Sequence, residues 1–392
     1  MTANNIPHVD LQLGHPIIVA QGPPDVQNWG PYQFPALERL PDDRIHLRYH
    51  VEADSARAYG LACGHAISSD SGRTWEPIRN PAGKGRPYVR SVGLMLPNED
   101  RLAPVESEAL KVDGLELPAP FAVRDDGYGN ATRIFRAEEV SEKYSGWRFL
   151  RLPKGRTKWV AETAKVNIPG ETRYVVENVL VLPFLWRMRL APDGSLWGIN
   201  YANRIIDGQV SHTHMMLIRS TDSGRTWNLW SEIPYQPDPA SDPFWNKREG
   251  FTEPDVAFLP DGSVMCLLRT TDGSGVGPLY VSYSSDLGRT WSKPVVFDNL
   301  GVWPDLVRLG NGVTLAAYGR PGLFVRATGD PSGHEWDERV TVVAHERTCS
   351  YASLLALDSQ SALLAYTDFT RPDSKGRLCK SVLVRTITAV SA

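Results

Sequence analysis

The chain lacks any apolar stretch approaching the roughly 18 residues that a membrane-spanning helix requires. Its N-terminus, MTANNIPHVDLQLGHPIIVAQG, has neither the basic segment nor the continuous apolar core of a signal peptide. Both absences argue against a membrane protein. We therefore expect the chain as given to be cytoplasmic, or secreted if a leader has been removed.

Excess charge of one sign is also lacking, because 42 Lys and Arg residues face 45 Asp and Glu residues, a net charge of −3. Such a balance produces no long-range field that would gather nucleic acid or an anionic membrane surface. The sequence also has no phosphate-binding loop, nucleophile elbow or nucleic-acid signature. We expect neither a nucleic-acid nor a membrane partner and no cofactor; the oligomeric state is not indicated.

Cysteine is scarce, and its spacing argues against metal binding. The four cysteines lack the close spacing of metal ligands, and we expect buried free thiols. His212 and His214 alternate in SHTHMM, which places both on one strand face. Because no third ligand accompanies them, we interpret them as part of a polar strand face and predict no metal site.

Glycine and proline, in contrast, are abundant and scattered, with 33 and 30 copies among 392 residues. This distribution is typical of many short elements separated by frequent turns. Length alone fits two average domains or one large all-β domain. The turn-rich composition favours a single all-β domain over residues 1–392.

The most specific signal is a repeat of the form Ser-x-Asp-x-Gly-x-Thr-Trp. It occurs as SSDSGRTW from Ser68, STDSGRTW from Ser220 and SSDLGRTW from Ser284. A short acidic side chain can accept backbone N–H bonds in a tight turn, and glycine supplies a positive φ. The tryptophan buries a large apolar face against the sheet beneath. Each copy is therefore predicted to be a structural turn.

This repeat resembles the Asp box, or bacterial neuraminidase repeat, of the sialidase superfamily. In that family the box joins the two outer strands of a propeller blade, away from the active site. The resemblance therefore implies that Asp70, Asp222 and Asp286 are structural. We interpret SGW ending at Trp147 and TGDPSGHEW ending at Trp336 as weaker versions of the same turn.

A second repeat pairs two apolar strands across a turn such as PDG or GNG, a pattern typical of antiparallel hairpins. Six such units are predicted as the inner strands of six blades. They begin at Phe34, Ser91, Pro183, Glu253, Trp303 and Tyr351.

Together with the resemblance, these repeats predict an all-β, six-bladed propeller of four-stranded antiparallel blades. We expect the last strand, Lys380 to Thr388, to pair with an N-terminal strand near Leu11 to Ala20. The irregular stretch 113–172 is interpreted as a long insertion within blade 2, or as an inserted subdomain.

Inner-strand ends of a propeller converge on one bowl, the default ligand site. The units place a set of polar residues near its floor or rim: Gln33, Arg48, His50, Asp54, Arg90, Glu253, Arg269, Arg320, Tyr351 and Asp368.

Several of these positions match sialidase motifs, in which a tyrosine is the nucleophile. CSYASLLAL resembles the nucleophile segment, with Ala352 in place of a serine, and implies that Tyr351 is the nucleophile. The resemblance also implies that Glu253 takes the phenolic proton and that Arg269 and Arg320 clamp the substrate. The alternatives are a core tyrosine, a strand-capping glutamate and structurally paired arginines.

The first blade departs from the family pattern, because YQFPAL has Gln33 where a clamp arginine belongs. An amide cannot supply the charged fork that matches a carboxylate. Either Arg48 or Arg90 substitutes, or the natural sugar lacks that carboxylate. The family's aspartate acid/base is assigned here to Asp54, with Glu52 as second choice, although a solvated loop carboxylate is the alternative.

Three functions follow from this pattern. The first is a sialidase-like exo-glycosidase that cleaves a terminal, acidic sugar with retention of configuration. The second is a related propeller glycosidase or lyase that acts on a non-sialic sugar through carboxylates, which Gln33 favours. The third is a propeller that binds glycan or protein without catalysis.

Overall fold

The computed structural model describes residues 7–86, 88–105, 108–125, 131–270 and 275–391, and these contain strands and short 3₁₀ helices but no α-helix. The predicted all-β class is confirmed. No helix within these ranges is long and apolar enough to cross a membrane. The first six residues of the N-terminal stretch and residues 126–130 of the predicted insertion lie outside the described residues.

The strands of the N-terminal part are β1 (Val9–Leu13), β2 (Ile17–Gln21), β3 (Gln33–Arg39), β4 (Ile45–His50), β5 (Gly64–Ser68), β6 (Glu76–Ile78), β7 (Leu94–Met95) and β8 (Arg101–Pro104). The next are β9 (Ala109–Lys111), β10 (Ala122–Asp125), β11 (Ala131–Arg136), β12 (Trp147–Leu152), β13 (Val160–Asn167), β14 (Thr172–Val176), β15 (Val179–Val181) and β16 (Arg187–Leu190).

The strands that follow are β17 (Leu196–Ala202), β18 (Ile205–Ile206), β19 (Gln209–Val210), β20 (His214–Ser220), β21 (Thr226–Ile233), β22 (Phe251–Phe258), β23 (Val264–Thr270) and β24 (Leu279–Ser284). The last are β25 (Val295–Asp298), β26 (Val302–Arg308), β27 (Thr314–Gly319), β28 (Leu323–Thr328), β29 (Val340–Val343), β30 (Ser353–Ala356), β31 (Ser361–Pro372) and β32 (Leu378–Ser391). The 3₁₀ helices are Ala56–Ala58, Ala137–Glu139, Glu142–Tyr144 and Trp245–Lys247.

The sheets differ in their number of strands. Three have four antiparallel strands each, β3 to β6, β22 to β25 and β26 to β29. An eight-stranded sheet combines β7, β8, β12 and β13 with β16, β17, β20 and β21, because β13 and β21 pair in parallel over residues 165–167 and 226–228. A uniform set of four-stranded antiparallel blades is therefore not observed. The parallel pair satisfies backbone groups that two separate edges would leave exposed.

The two ends of the chain meet in one five-stranded sheet, as predicted. β32 pairs with β1 over residues 387–391 and with β2 over residues 381–384, while its other edge pairs with β31. Because β32 is 14 residues long, both N-terminal strands fit along the same edge. This additional strand is the second departure from four-stranded units.

All six predicted hairpins are confirmed. In chain order they are β3–β4, β7–β8, β16–β17, β22–β23, β26–β27 and β30–β31.

A separate sheet of β9, β10, β11, β14 and β15 only partly coincides with the predicted insertion 113–172, because β9 precedes that stretch and β14 and β15 extend beyond it. It has its own buried core, which includes Phe135, Val175 and Leu180. In sequence, however, β12 and β13 interrupt it and belong to the eight-stranded sheet. This sheet is therefore formed by two segments of the chain, one before β12 and one after β13. We call these five strands the insertion sheet.

The three strong repeats form turns between the third and fourth strands of their units and share the hydrogen bonds of their Ser and Asp side chains, whereas the Trp291 indole of the third donates to Ser231 Oγ at 2.9 Å. In the first, Asp70 Oδ1 accepts from the N–H groups of Arg73 at 3.0 Å and Thr74 at 2.9 Å. Ser68 Oγ accepts from Gly72 N at 2.8 Å, and the Trp75 indole donates to the Gly72 carbonyl at 3.0 Å. All of these bonds in the first repeat are local, which fits a structural role.

The two weaker turns differ in outcome. Trp336 donates to the Gly333 carbonyl at 2.7 Å, as the tryptophans of the first two strong repeats do with their glycines, in the turn between β28 and β29. The turn that ends at Trp147 instead precedes β12, the third strand of its unit, so its interpretation as a version of the repeat between the third and fourth strands is wrong. The turn between β12 and β13 carries Trp159, which sequence analysis missed because PKGRTKW lacks the Ser and Asp of the repeat.

Side-chain oxygens tie the first strands of successive units together. Asp255 Oδ2 on β22 accepts from Leu306 N on β26 at 2.8 Å, and Asp305 Oδ2 accepts from Leu354 N on β30 at 2.6 Å. Ser353 Oγ on β30 then accepts from Leu37 N on β3 at 3.1 Å. We call these contacts the inner-strand bonds.

The series extends to a fourth junction, and a buried arginine pairs with the carboxylates of two of the inner-strand bonds. Glu38 on β3 accepts from Val92 N, just before β7, at 3.0 Å. Arg187 on β16 pairs with Asp255 at 3.1 Å and also with Asp305. The first strands of neighbouring units are therefore in direct polar contact.

Replacing Trp227 with alanine should destabilise the fold, because its indole is fully buried between Trp147 and Phe149. We expect a loss of about 3–5 kcal/mol in the free energy of unfolding, measured by urea denaturation. Trp245→Ala is the matched control, because this tryptophan is 40% exposed and should cost about 0.5 kcal/mol or less. Equal losses in the two variants would contradict the packing described here.

Candidate functional site

A cavity of about 920 Å³ opens where the first strands of the units begin. Phe34, Glu253 and Trp303 line it, and each precedes a proline in an inner strand. Their φ values are 54°, 45° and 48°, and the strand pairing shifts register at each of them. Such left-handed backbone is costly for residues other than glycine and concentrates at functional sites. The irregularity lies where each strand contributes a side chain to the cavity.

Tyr351, Glu253 and Arg269 form a tight polar cluster in or beside this cavity. The Tyr351 hydroxyl donates to Glu253 Oε1 at 2.5 Å, and Arg269 Nη1 donates to the phenolic oxygen at 2.9 Å. The same Nη1 lies 2.5 Å from Glu253 Oε2. The sequence-derived set is thus brought together from β22, β23 and the start of β30. Arg269 does not line the cavity itself.

The tyrosine is held as a neutral phenol. Burial raises its pKa well above 10, and the negative charge of Glu253 raises it further, whereas Arg269 and Arg320 act in the opposite direction. A phenol with such a pKa is not ionised at neutral pH. It becomes nucleophilic only when a base accepts its proton, and Glu253 is within hydrogen-bonding distance to do so.

Aromatic rings enclose this tyrosine. Trp303 lies 4.5 Å from the Tyr351 ring and donates its indole N–H to the Ala352 carbonyl at 2.9 Å. Phe34 contacts the tyrosine edge to face at 4.8 Å. The Arg320 guanidinium lies 5.7 Å from the ring centre and donates to the Cys349 carbonyl at 3.0 Å. These contacts fix the orientation of the tyrosine ring.

Asp54 lies at the exposed rim of the cavity, where Trp29 holds it. The Trp29 indole donates to Asp54 Oδ2 at 3.0 Å, and the Trp29 carbonyl accepts from Asp54 N at 3.1 Å. Desolvation is the largest effect on Asp54 and raises its pKa, and the negative charges of Glu253 and Glu177 also raise it. The hydrogen bond from Trp29 and the positive charge of Arg320 lower this pKa. A carboxyl with a raised pKa stays protonated over a wider pH range.

The other predicted residues divide into two groups. Arg48 and Arg90 line the cavity, and Arg90 donates to the Leu61 carbonyl. Gln33 does not line the cavity: its side chain is fully buried, and its Oε1 accepts from Gly30 N at 2.7 Å. Asp368 is also buried and pairs with Arg371 at 2.7 Å.

Two contributors to the site, Trp29 and the insertion sheet, carry no recognisable signal in the sequence. Trp29 carries no motif, although it contacts Asp54 and its ring lies 5.4 Å from the Arg320 guanidinium. The insertion sheet contributes a wall of the cavity with Ile134, Arg173 and Tyr174, among others. No local pattern could have revealed either, because both act through contacts between distant segments.

The histidine pair contacts a backbone carbonyl and a carboxylate, and the four thiols form no disulfide. Cys63, Cys266, Cys349 and Cys379 are free, and Cys63 is half-buried whereas the other three are buried. His212 contacts the Glu249 carbonyl at 3.3 Å, and His214 lies 3.6 Å from Glu232. Within the described residues no group of three His, Cys, Asp or Glu side chains is arranged to hold a metal ion.

Residues 192–362 match the family described as a BNR repeat-like domain. No curated protein sequence matches this chain significantly. A crystal structure of a Dyadobacter fermentans protein of unknown function is similar over 97% of this chain and 99% of its own, with a TM-score of 0.65 at 16% identity.

Two glycoside hydrolases share the fold at lower similarity. An α-L-arabinanase of Penicillium chrysogenum, in complex with arabinobiose, matches at a TM-score of 0.50 and 15% identity, over 95% of this chain and 98% of that one. A variant of the NanB sialidase of Streptococcus pneumoniae matches at 0.50 and 14% identity, over 95% of this chain and 70% of that one. The predicted BNR-repeat resemblance is therefore confirmed over residues 192–362, and these solved structures share the fold of the chain.

Acid should weaken the fold through His50, which lines the cavity. Burial, with a smaller effect of Arg48, lowers the pKa of this imidazole from 6.5 to about 4. Between pH 6.5 and 4 the unfolded chain therefore binds a proton that the folded chain does not, and stability falls as the pH falls. We expect His50→Gln to lose less stability than the wild type between pH 7 and 4.5, measured by urea denaturation.

The pKa of His65 is also lowered to about 4, chiefly by burial, so the His50 variant should retain part of the acid sensitivity. An NMR titration that finds His50 protonating near pH 6.5 would contradict this assignment.

Proposed function

We propose that the six hairpin-based units are the blades of a propeller and that the cavity at their inner ends is the active site of a glycoside hydrolase. The inner-strand bonds support the first part, because they connect units in chain order and also connect the last unit to the first. The Tyr351–Glu253 hydrogen bond of 2.5 Å carries the second part.

In the proposed reaction, Tyr351 attacks the anomeric carbon of a terminal sugar. Its proton passes to Glu253, a bond to the phenolic oxygen forms, and the glycosidic bond breaks. Asp54 donates a proton to the departing oxygen. A water molecule then attacks the glycosyl-tyrosine, Asp54 takes its proton, and the proton on Glu253 returns to the phenol. Two displacements retain the anomeric configuration.

Arg269 stabilises negative charge at two stages of this reaction, first on Glu253 and then on the phenolic oxygen of Tyr351. Before the attack it neutralises Glu253, and its 2.9 Å bond to the phenolic oxygen stabilises negative charge that develops there. Arg320 lies beside the tyrosine ring and adds positive potential. Such an environment is what an otherwise unionised phenol requires.

The preferred substrate is a terminal, acidic sugar of a glycan or oligosaccharide. Gln33 is buried, and its Oε1 accepts a hydrogen bond from Gly30 N. Because its amide is neutral, it provides no charged pair of donors for a substrate carboxylate. Arg48 and Arg90 line the cavity and are the arginines that would serve instead.

Replacing the nucleophile tests this mechanism. Tyr351→Phe keeps the ring between Trp303 and Phe34 but removes the oxygen, so we expect kcat to fall by about 10³-fold or more. Glu253→Gln should lower kcat by about 10²–10⁴-fold, because the phenol loses its base. Aryl glycosides of sialic acid, uronic acids and α-L-arabinofuranose are the test substrates.

Tyr366→Phe is the control, because this tyrosine is buried in a strand of the same sheet but does not line the cavity. It should retain wild-type activity. Wild-type rates in Tyr351→Phe would remove the tyrosine from the mechanism. Absence of turnover by the wild type on every substrate would favour a glycan-binding function.

A second candidate function is a propeller glycosidase that uses carboxylates on a non-sialic sugar. The burial of Gln33 favours it, because the position of the first clamp arginine offers no cation to the cavity. In that case Glu253→Gln would abolish turnover of arabinofuranosides while Tyr351→Phe would not. The two candidates therefore differ in one pair of variants.

Removing the acid should change the pH dependence. The raised pKa of Asp54 extends the pH range over which it is protonated, and kcat/KM should fall as the pH rises through that pKa. In Asp54→Asn we expect this alkaline limb to disappear. We also expect kcat/KM to fall by about 10²–10⁴-fold on a methyl glycoside and much less on a dinitrophenyl glycoside, whose leaving group needs no proton.

Glu52→Gln is the control, because Glu52 lies two residues from Asp54 on the same exposed loop. An unchanged pH profile in Asp54→Asn together with a changed profile in Glu52→Gln would transfer the acid role to Glu52.

A further inference from the structure

The loop that carries Asp54 packs against a short segment between β2 and β3, residues 28–30, which we call the support segment. Trp29 binds Asp54 twice, because its indole donates to Oδ2 at 3.0 Å and its carbonyl accepts from Asp54 N at 3.1 Å. Gly30 has a φ of 116°, and a Cβ on it would lie 2.2 Å from Asp54 N and 2.6 Å from the Ala53 carbonyl carbon. Any side chain at position 30 would therefore push the two backbones apart.

Two buried side chains hold the support segment on either side of Trp29. Gln33 on β3 is fully buried and accepts from Gly30 N at 2.7 Å. Lys380 on β32 is 3% exposed and donates its ammonium group to the Asn28 carbonyl. Hydrogen bonds from charged donors are stronger than those between neutral groups. The segment is thus fixed by the first strand of the first unit and by the last strand of the chain.

The Trp29 ring is oriented by contacts rather than by burial, since it is 43% exposed. Phe34 lies 6.1 Å and Phe369 6.4 Å from it, both edge to face. The Arg320 guanidinium lies 5.4 Å from its centre. The same guanidinium lies 5.7 Å from the Tyr351 ring, so one arginine contacts both the proposed nucleophile and the tryptophan that binds Asp54.

This arrangement gives a physical reason for glutamine at position 33. Gly30 is buried, and a buried backbone N–H needs an acceptor. The amide oxygen of Gln33 supplies one. A guanidinium has five donors and no acceptor, so an arginine at this position would leave Gly30 N without its partner.

From these contacts we infer that Trp29 is a positioning residue for the general acid and that Gln33 and Lys380 hold Trp29 in place. With its indole N–H on Oδ2, Trp29 leaves Oδ1 of Asp54 as the atom that donates the proton to the departing oxygen. The inference rests on the proposed function, because it requires that Asp54 acts as the acid. Position 33 thus supports the acid in this chain instead of binding the substrate.

The charges around Asp54 determine what loss of the indole N–H should do. Burial is the largest effect and raises the pKa of Asp54, whereas the Trp29 hydrogen bond lowers it by stabilising the carboxylate. The ionisable groups that interact with Asp54 from the surrounding elements and from its own loop are Glu253, Glu177, Arg320 and Tyr59. Because Trp29→Phe leaves these groups in place, we expect the pKa of Asp54 to rise in this variant.

Kinetics with two leaving groups tests the positioning role. Trp29→Phe keeps an aromatic ring but removes the N–H group. On a methyl glycoside of a sugar that the wild type cleaves, we expect kcat/KM to fall about tenfold or more and its alkaline limb to move to higher pH. On the dinitrophenyl glycoside of the same sugar, kcat/KM should stay within about twofold of the wild type, because this leaving group needs no proton.

Trp245→Phe is the matched control. It makes the same replacement at a tryptophan of similar exposure, 40%, that does not line the cavity. Both rates and the pH profile should be those of the wild type.

The residues that hold the support segment should show the same selectivity. Gln33→Leu removes the acceptor for Gly30 N, and Lys380→Met removes the donor to the Asn28 carbonyl. In each variant we expect kcat/KM to fall about tenfold on the methyl glycoside and much less on the dinitrophenyl glycoside. A purely structural loss would lower both rates equally. Melting temperatures establish that each variant is folded, and the exposed Trp29 provides a test that does not depend on replacing a buried residue.

A titration without turnover provides the second readout. The Asp54 carboxyl carbon would be followed by ¹³C NMR in the wild type, Trp29→Phe and Trp245→Phe, with Asp54→Asn used to assign the signal. We expect a higher pKa of Asp54 in Trp29→Phe and no change in Trp245→Phe.

The outcomes separate this inference from the proposed function. If the wild type cleaves no glycoside but the pKa of Asp54 rises in Trp29→Phe, the proposed function is overturned and the contact between Trp29 and Asp54 stands. If glycosides are cleaved but Trp29→Phe slows both leaving groups equally or slows neither, the positioning role of Trp29 is overturned. An unchanged pKa of Asp54 in Trp29→Phe would overturn it as well.

Discussion

The inner-strand bonds are the constraint on which the arrangement of this protein depends. First strands packed side by side near a common centre bring backbone N–H groups out of contact with water, and each such group needs an acceptor. Asp255, Asp305 and Ser353 supply acceptors to the next unit at 2.8, 2.6 and 3.1 Å. Two carboxylates so close together require a cation, and Arg187 pairs with both. Polar side chains, not apolar packing alone, thus fix how neighbouring units are oriented.

The candidate site follows from this fixed orientation. An Asp or Ser two residues beyond three of the cavity-lining positions anchors the strand: Asp255 follows Glu253, Asp305 follows Trp303 and Ser353 follows Tyr351. Glu253 has a left-handed backbone conformation and lies at the register shift of β22. Two residues later, Asp255 accepts the hydrogen bond from Leu306 N that anchors the strand. A phenol and a carboxylate 98 residues apart in sequence therefore meet at 2.5 Å. Rigidity of this kind is what a short proton transfer requires.

Much of the fold could be predicted from sequence, because the informative patterns are local. Hairpin alternation and turn residues located all six hairpins and the terminal strand pairing. The order of Glu253, Arg269 and Tyr351 along these hairpins located their cluster. What sequence could not provide depends on distant contacts: the parallel pairing of β13 with β21, the division of the insertion, and the indole of Trp29 on Asp54. Gln33 is likewise buried where its side chain accepts a hydrogen bond from Gly30 N, and no sequence motif indicates this contact.

The pairing of β32 with β1 and β2 has a consequence for how the chain folds during synthesis. Residues 9–21 leave the ribosome early but can complete their sheet only after residues 378–391 have been translated. At about 5–20 residues per second, these strands wait tens of seconds for their partner. Their edges remain open to wrong pairing during that interval. The units made in between consist of sequence-local hairpins and can fold first, so the final step of folding joins the two ends of the chain.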